Sequence, residues 1–184
     1  MRVEPIELAT LDAEGQELYK AISGTRGNVV DGPFRVWLRA NPELAARMND
    51  VGAVLREAGK LDKRLFEIAV LCVARFWDAR YQWAAHGPIA LKLGLSQETI
   101  DAIGHGEMPA SAPSDEQAVY DLSMSLLERK SIPDDLYDSV LALIGFEQMV
   151  ELVTTVGQYS LAAIVTNGFD IELLSGGAQL PDRK

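Results

Sequence analysis

Residues 61–103 read LDKRLFEIAVLCVARFWDARYQWAAHGPIALKLGLSQETIDAI, and their pattern decides the fold. Ile68 to Ala74 is an unbroken apolar run, which suits a buried strand or a helix; the flanks DKRLFE and ARFWDAR favour a helix from Leu61 to Trp77. A helix with no polar face is buried on several sides, within the chain or in an oligomer. Asp78 is placed to cap a second helix, Ala79 to Leu93, with Gly94 as its stop. Pro88 lies inside that helix, lacks an N–H and is expected to kink it. Ser96 begins a third helix that ends near Gly104.

Working outward, residues 1–10 read as an extended arm. Asp12 to Ser23 is a helix with Leu11, Leu18, Tyr19 and Ile22 on one face, stopped by residues 24–28, GTRGN. Asp31-Gly32-Pro33 marks a turn before a short apolar segment containing Phe34, Val36, Trp37 and Leu38. Asn41 caps a helix whose first residue is Pro42 and which runs to Ala58 through Leu44, Met48, Val51 and Leu55, before Gly59. Residues 104–114 form a loop, and Ser114 with Gln117 makes a capping-box pattern for a helix through Val119, Leu122, Leu126 and Leu127. Pro133 opens a helix to Ile144, Gly145 separates it from a last one, Phe146 to Thr166, and residues 171–184 are a loose tail. No segment alternates with period two, so the fold is all-α with about eight helices. The whole chain reads as a single domain, residues 30–170 being its core. At an offset of 71, Leu55, Leu65, Phe66 and Glu67 match Leu126, Leu136, Tyr137 and Asp138, which suggests a duplicated helical unit.

Composition narrows the function classes. With 17 basic against 27 acidic residues in 184, the net charge is −10, which opposes nucleic-acid binding, where clustered Lys and Arg are needed. The single cysteine forms no disulfide within the chain. No stretch approaches 18 consecutive apolar residues, so no membrane span is expected. The start, MRVEPIELATLDAEG, carries acids where a secretory signal has a basic start and an apolar run; a cytoplasmic protein is expected. No nucleotide, phosphate-loop or nucleophile-elbow motif occurs. Two histidines nineteen residues apart make a poor metal site, so neither metal nor cofactor is expected.

The candidate chemistry lies in the central pair of helices. Gln82 and His86 share a helical face, next to Tyr81 and Trp83. Glu67 is the only acid between Asp62 and Asp78. With a chain reversal near Asp78, Glu67 and His86 sit at depths of about 16 and 12 Å on antiparallel neighbours, so their side chains can meet. A buried carboxyl hydrogen-bonded to a histidine is a competent proton-transfer pair. The simpler alternatives are a satisfied core histidine and an i, i+3 ion pair of Glu67 with Arg64. Cys72, inside the apolar run, reads as core, and His105 as a solvated loop residue.

Together these residues resemble the carboxymuconolactone decarboxylase and AhpD-like alkylhydroperoxidase superfamily. The resemblance spans most of residues 30–170, including NPELAARM at 41–48 and FEQMVELVTTVGQYSLAAIVTNGF at 146–169. It implies an active site between the two central helices of a homo-oligomer. The peroxidase branch carries a Glu, eleven residues, then Cys-x-x-Cys-x-x-x-His. Here Glu67 and His86 fall on the Glu and His, and Ala79 and Gln82 on the cysteines, so disulfide-based peroxide chemistry has no thiols to use. Residues 81–86, YQWAAH, are similar to the subgroup without those cysteines, where Tyr-Glu-Trp-x-x-His is usual.

The leading expectation is a cofactor-free, decarboxylase-like enzyme for a small carboxylated or lactone-type metabolite, with Glu67 and His86 catalytic. Arg64 or Arg80 would hold the substrate's anionic group, and Tyr81, Gln82 and Trp83 would shape the pocket. An antioxidant protein lacking the paired cysteines and a non-catalytic small-molecule-binding oligomer are the alternatives. Expected partners are a small molecule and further copies of the chain, as dimer, trimer or hexamer.

Overall fold

The structure is a computed structural model that describes residues 2–24, 29–172 and 177–182. Eight α-helices and no strand occur among them: α1 (Ala13–Gly24), α2 (Pro33–Ala40), α3 (Pro42–Ala53), α4 (Lys63–Phe76), α5 (Arg80–Lys92), α6 (Gln97–Gly104), α7 (Ser114–Met124) and α8 (Asp134–Gly168). Residues 25–28, read from sequence as part of the stop after α1, lie outside the described residues.

Local chemistry sets most helix starts. Asn41 Oδ1 accepts from Leu44 N at 3.1 Å ahead of Pro42, and Ser96 Oγ accepts from Thr99 N at 3.0 Å. Asp62 Oδ1 accepts from Arg64 N at 2.8 Å, so α4 starts at Lys63, two residues later than Leu61. Two expected caps are absent. Asp78 adopts a left-handed conformation (φ 50°) and pairs with Arg75, leaving α5 without a side-chain cap. Ser114 is itself helical after Pro113, and Gln117 Nε2 donates backward to Ala110 O and Ala112 O at 3.2 and 3.1 Å. The segment around Trp37 is helical, with Pro33 at its first position. α5 runs through Pro88 as one helix, whereas α8 is broken at Gly145, whose φ of 78° no helix accommodates.

The internal similarity has a structural counterpart. α3 and α7 each end in a single π turn, Val54–Ala58 and Ser125–Arg129, and α4 and α8 follow; both the π turns and the following helices start 71 residues apart.

α4 is the central element, packed against α5, α6, α7 and α8. Residues 65–75 are all buried, and Ile68 to Ala74 expose no surface. Burying each of Ile68, Val70, Leu71 and Val73 contributes about 1.5–3 kcal/mol. The chain thus satisfies α4 by itself, and the apolarity of α4 does not call for a second copy. A smaller core joins α1, α2 and α3 through Ile22, Phe34, Trp37, Leu38 and Ala45.

The α3 face is rotated from the expected stripe: Ala45, Gly52 and Leu55 are buried, while Leu44 and Val51 are exposed. The described residues of the C-terminal tail, 171–172 and 177–182, are not a loose extension. Ile171 and Leu180 are buried, and the buried Arg75 Nη1 donates to Gly104 O at 3.0 Å and Pro181 O at 2.7 Å.

By length and composition α8 could cross a bilayer, with a stretch of mean hydropathy 1.5. Yet Leu152, Val156, Tyr159 and Ala163 on one face belong to the core. The opposite face carries Phe146, Val150, Val153, Leu161 and Ile164, all exposed and spaced by threes and fours or their sums.

Candidate active site

The carboxylate of Glu67 comes from the middle of α4, a helix buried on every side, so it is removed from solvent (4% exposed). α5 reverses past the left-handed Asp78 and returns alongside α4. That reversal brings His86 Nδ1 to 2.8 Å from Glu67 Oε2. A carboxylate accepting from Nδ1–H leaves Nε2 as the ring nitrogen free to exchange a proton. Tyr159 from α8 fixes the imidazole edge to face, with ring centroids 5.1 Å apart, and packs in the same way on Phe66 at 5.5 Å. One turn before His86, the buried Gln82 donates from Nε2 to Val70 O at 3.1 Å, tying α5 to the α4 backbone.

His86 lies on the wall of a cavity of about 550 Å³. Tyr81, Gln82 and Ile89 line it from α5, Trp37 from α2, Gly52 from α3 and Ala162 from α8. A cavity of this size and largely apolar lining suits a small organic molecule. Glu67 is not on the wall and reaches the cavity through His86. Gly32 (φ 61°) meets Tyr81 closely enough that a Cβ there would fall 2.6 Å from Cε1, so glycine is required for the ring's position.

Three other residues expected at the site lie elsewhere. Arg64 faces α7, paired with Glu116 and with Asp115 Oδ2 at 2.7 Å. Burial alone would lower its pKa, but the bonds and charges of Asp115 and Glu116 outweigh this and raise it. Arg80 is exposed, lies 3.2 Å from Asp182, and lines a separate depression with Asn167 and Asp170. Trp83 is in the main core, 2% exposed. Arg64 and Arg80 have the charge to hold an anionic group and Trp83 adjoins Gln82, but their places on the helices turn all three away from the cavity.

The charged groups lining the cavity are instead Asp31 and Arg56. Asp31 is held by the buried Arg35, whose Nη2 and Nε lie 2.6 and 2.8 Å from its Oδ1. Arg56 went unnoticed in the sequence. The signal available was its i+4 spacing from Gly52, on the face that proves to be buried.

Cys72 is fully buried in the core, away from the cavity lining, and burial pushes its thiol far up. His105 is exposed, its Nδ1 2.8 Å from Asp101 O. Among the described residues, no three His, Cys, Asp or Glu side chains gather as a metal site.

The helical order and the Glu67–His86 pair invite comparison with known proteins. Residues 42–120, which hold both side chains, match the carboxymuconolactone decarboxylase family. Those 79 of the 184 residues are similar to that family, and the all-α fold is the AhpD-like one. Among solved structures it is similar to an AhpD-core, peroxidase-related protein from Ralstonia eutropha JMP134, with TM-score 0.79, 17% identity, and 95% of this chain and 92% of that one covered. A peroxidase-related protein from Silicibacter sp. TM1040 has TM-score 0.76 and 14% identity, with 98% and 96% covered. The debrominase Bmp8, in complex with 2,3,4-tribromopyrrole, has TM-score 0.76 and 11% identity, with 95% and 92% covered. At these identities the likeness is one of fold. No curated protein matches the chain.

Proposed function

We propose that this protein belongs to the carboxymuconolactone decarboxylase and AhpD-like family, in the part that works without paired cysteines, and is a decarboxylase-like acid–base enzyme acting on a small carboxylated, lactone-type molecule. The observation that carries the reading is His86, fixed on the cavity wall by the buried Glu67 at 2.8 Å. In the proposed step the carbon–carbon bond to a carboxylate breaks and CO2 leaves. The electron pair passes into a conjugated carbonyl, giving a dienolate, so the substrate itself serves as the electron sink. His86 then delivers a proton to carbon, and water restores it. Glu67 holds the ring in one tautomer and one orientation. Gln82 and Tyr81 shape the wall beside it.

A thiol-based antioxidant reading has less support, since the only thiol is buried in the core and strongly disfavours ionisation. The test is turnover of 4-carboxymuconolactone, followed by ultraviolet absorbance, in the wild type and in His86→Ala. Turnover lost in the variant supports the assignment; no turnover in either discards this substrate.

We also infer that the protein self-associates through the outer face of α8. Support comes from the exposed stripe from Phe146 (63% exposed) to Ile164 (48% exposed), which a second copy would cover. Val150→Lys with Leu161→Lys should shift the sedimentation coefficient to that of a monomer. A wild type already monomeric at micromolar concentration would refute this.

A further inference from the structure

We infer that Arg56 is the anion anchor of the cavity and selects ligands that carry a carboxylate. The inference rests on the reading of this cavity as the substrate site, and holds for binding whether or not decarboxylation follows. Arg56 belongs to the π turn Val54–Ala58 and lines the cavity that His86 also lines. Its Nη2 is buried and has no hydrogen-bond partner. A shielded guanidinium N–H without an acceptor is costly, and sites that bind ligands are where proteins retain such groups.

The charge around it supports an anionic ligand. Asp31, the one carboxylate on the wall among the described residues, is engaged by Arg35, and Glu67 is covered by His86. The positive charge of Arg56 therefore stays available to a guest. The rest of the wall is mainly apolar, so the fitting ligand has an apolar or conjugated body and one carboxylate able to take the guanidinium fork.

The π turn explains how the arginine gets there. A π turn accommodates one extra residue before the chain leaves for Gly59, and such turns recur at functional sites. The equivalent turn in the second half, Ser125–Arg129, has Leu127 at the position of Arg56, 71 residues on. The two halves share the backbone device, and only the first places a cation there.

The test compares binding of matched acids and methyl esters, cinnamate with methyl cinnamate and muconolactone with its ester, by isothermal titration calorimetry. Wild-type protein should bind the acids about 10- to 100-fold more tightly than the esters, the span expected of a charge-assisted pair. Arg56→Met should remove that preference, and Arg56→Lys should retain part of it as a point charge without the fork. Arg47→Met, at an exposed position on α3, should leave it unchanged. Because the buried N–H is unpaired, Arg56→Met should also leave the ligand-free melting temperature equal or higher, which a merely structural arginine would not do. Failure of the acids to bind, equal binding of acid and ester, or selectivity that survives Arg56→Met would overturn the inference. Selective binding without any turnover would instead refute the proposed reaction and leave Arg56 as the anchor.

Discussion

Replacing His86 with Ala tests the central contact without any knowledge of the substrate. The variant loses the hydrogen bond to Glu67, worth about 1.5–3 kcal/mol when one partner is charged. It also loses the edge-to-face contact with Tyr159, worth about 0.5–1.5 kcal/mol. Together these predict a loss of about 2–4.5 kcal/mol, with the Glu67 carboxylate stranded in the core. Glu67→Gln keeps the volume and substitutes a neutral bond, costing about 1 kcal/mol. In the double variant the stranded charge is gone. Its total loss should therefore fall short of the sum of the singles by about 1.5–3 kcal/mol. Urea denaturation followed by tryptophan fluorescence, at one fixed protein concentration, gives all four stabilities. If the losses add to within about 0.5 kcal/mol, the two side chains are not coupled and the proton-transfer pair is refuted. With a substrate in hand, the same four proteins should show non-additive losses of turnover, the double variant being no slower than His86→Ala.

The native Cys72 thiol should resist both hydrogen peroxide and a thiol reagent, and label only as fast as the protein unfolds. Because burial raises its pKa above the ordinary 9.0, the folded state keeps a proton that the unfolded chain releases, so above pH 9 this group's contribution makes stability fall as pH rises; Cys72→Ala should lessen that fall in denaturation curves. Gly32→Ala forces a left-handed alanine against the Tyr81 ring and should cost about 1–3 kcal/mol, read as a lower melting temperature together with altered ligand affinity. Arg75→Met removes the buried guanidinium that holds Gly104 and Pro181, and should cost about 2–4 kcal/mol while exposing the C-terminal tail to limited proteolysis; an unchanged cleavage pattern would show that the tail is held by other contacts.

Helix identity is largely written in the chain, because apolar periodicity and terminal chemistry act over a few residues. The run Ile68 to Ala74, the Asn41-Pro42 and Ser96 starts and the glycine at 145 each specify their element locally. The approach of Glu67 and His86 is legible for the same reason. Two helices joined by a short reversal have their depths fixed by the rise per residue, and the two side chains fall at similar depths.

Rotation and partner choice are decided elsewhere. Asp78 has the chemistry of a cap, but a left-handed backbone and the buried Arg75 draw it away. Ser114 and Gln117 have the spacing of a capping box, while the loop carbonyls of Ala110 and Ala112 offer Gln117 other partners. Arg64 and Arg80 are as cationic as Arg56, and no local pattern tells which one meets the cavity. That depends on where Asp115, Glu116 and Asp182 lie after folding.

Short-range geometry in the chain specifies most of the helices and the matching depths of Glu67 and His86. Only the tertiary structure decided which arginine faces the cavity, that α4 is satisfied within one chain, and that an apolar stripe on α8 is left outside. Those outcomes turn on contacts between residues far apart in the chain, such as Arg64 with Asp115 and Arg75 with Pro181, which no helical period encodes.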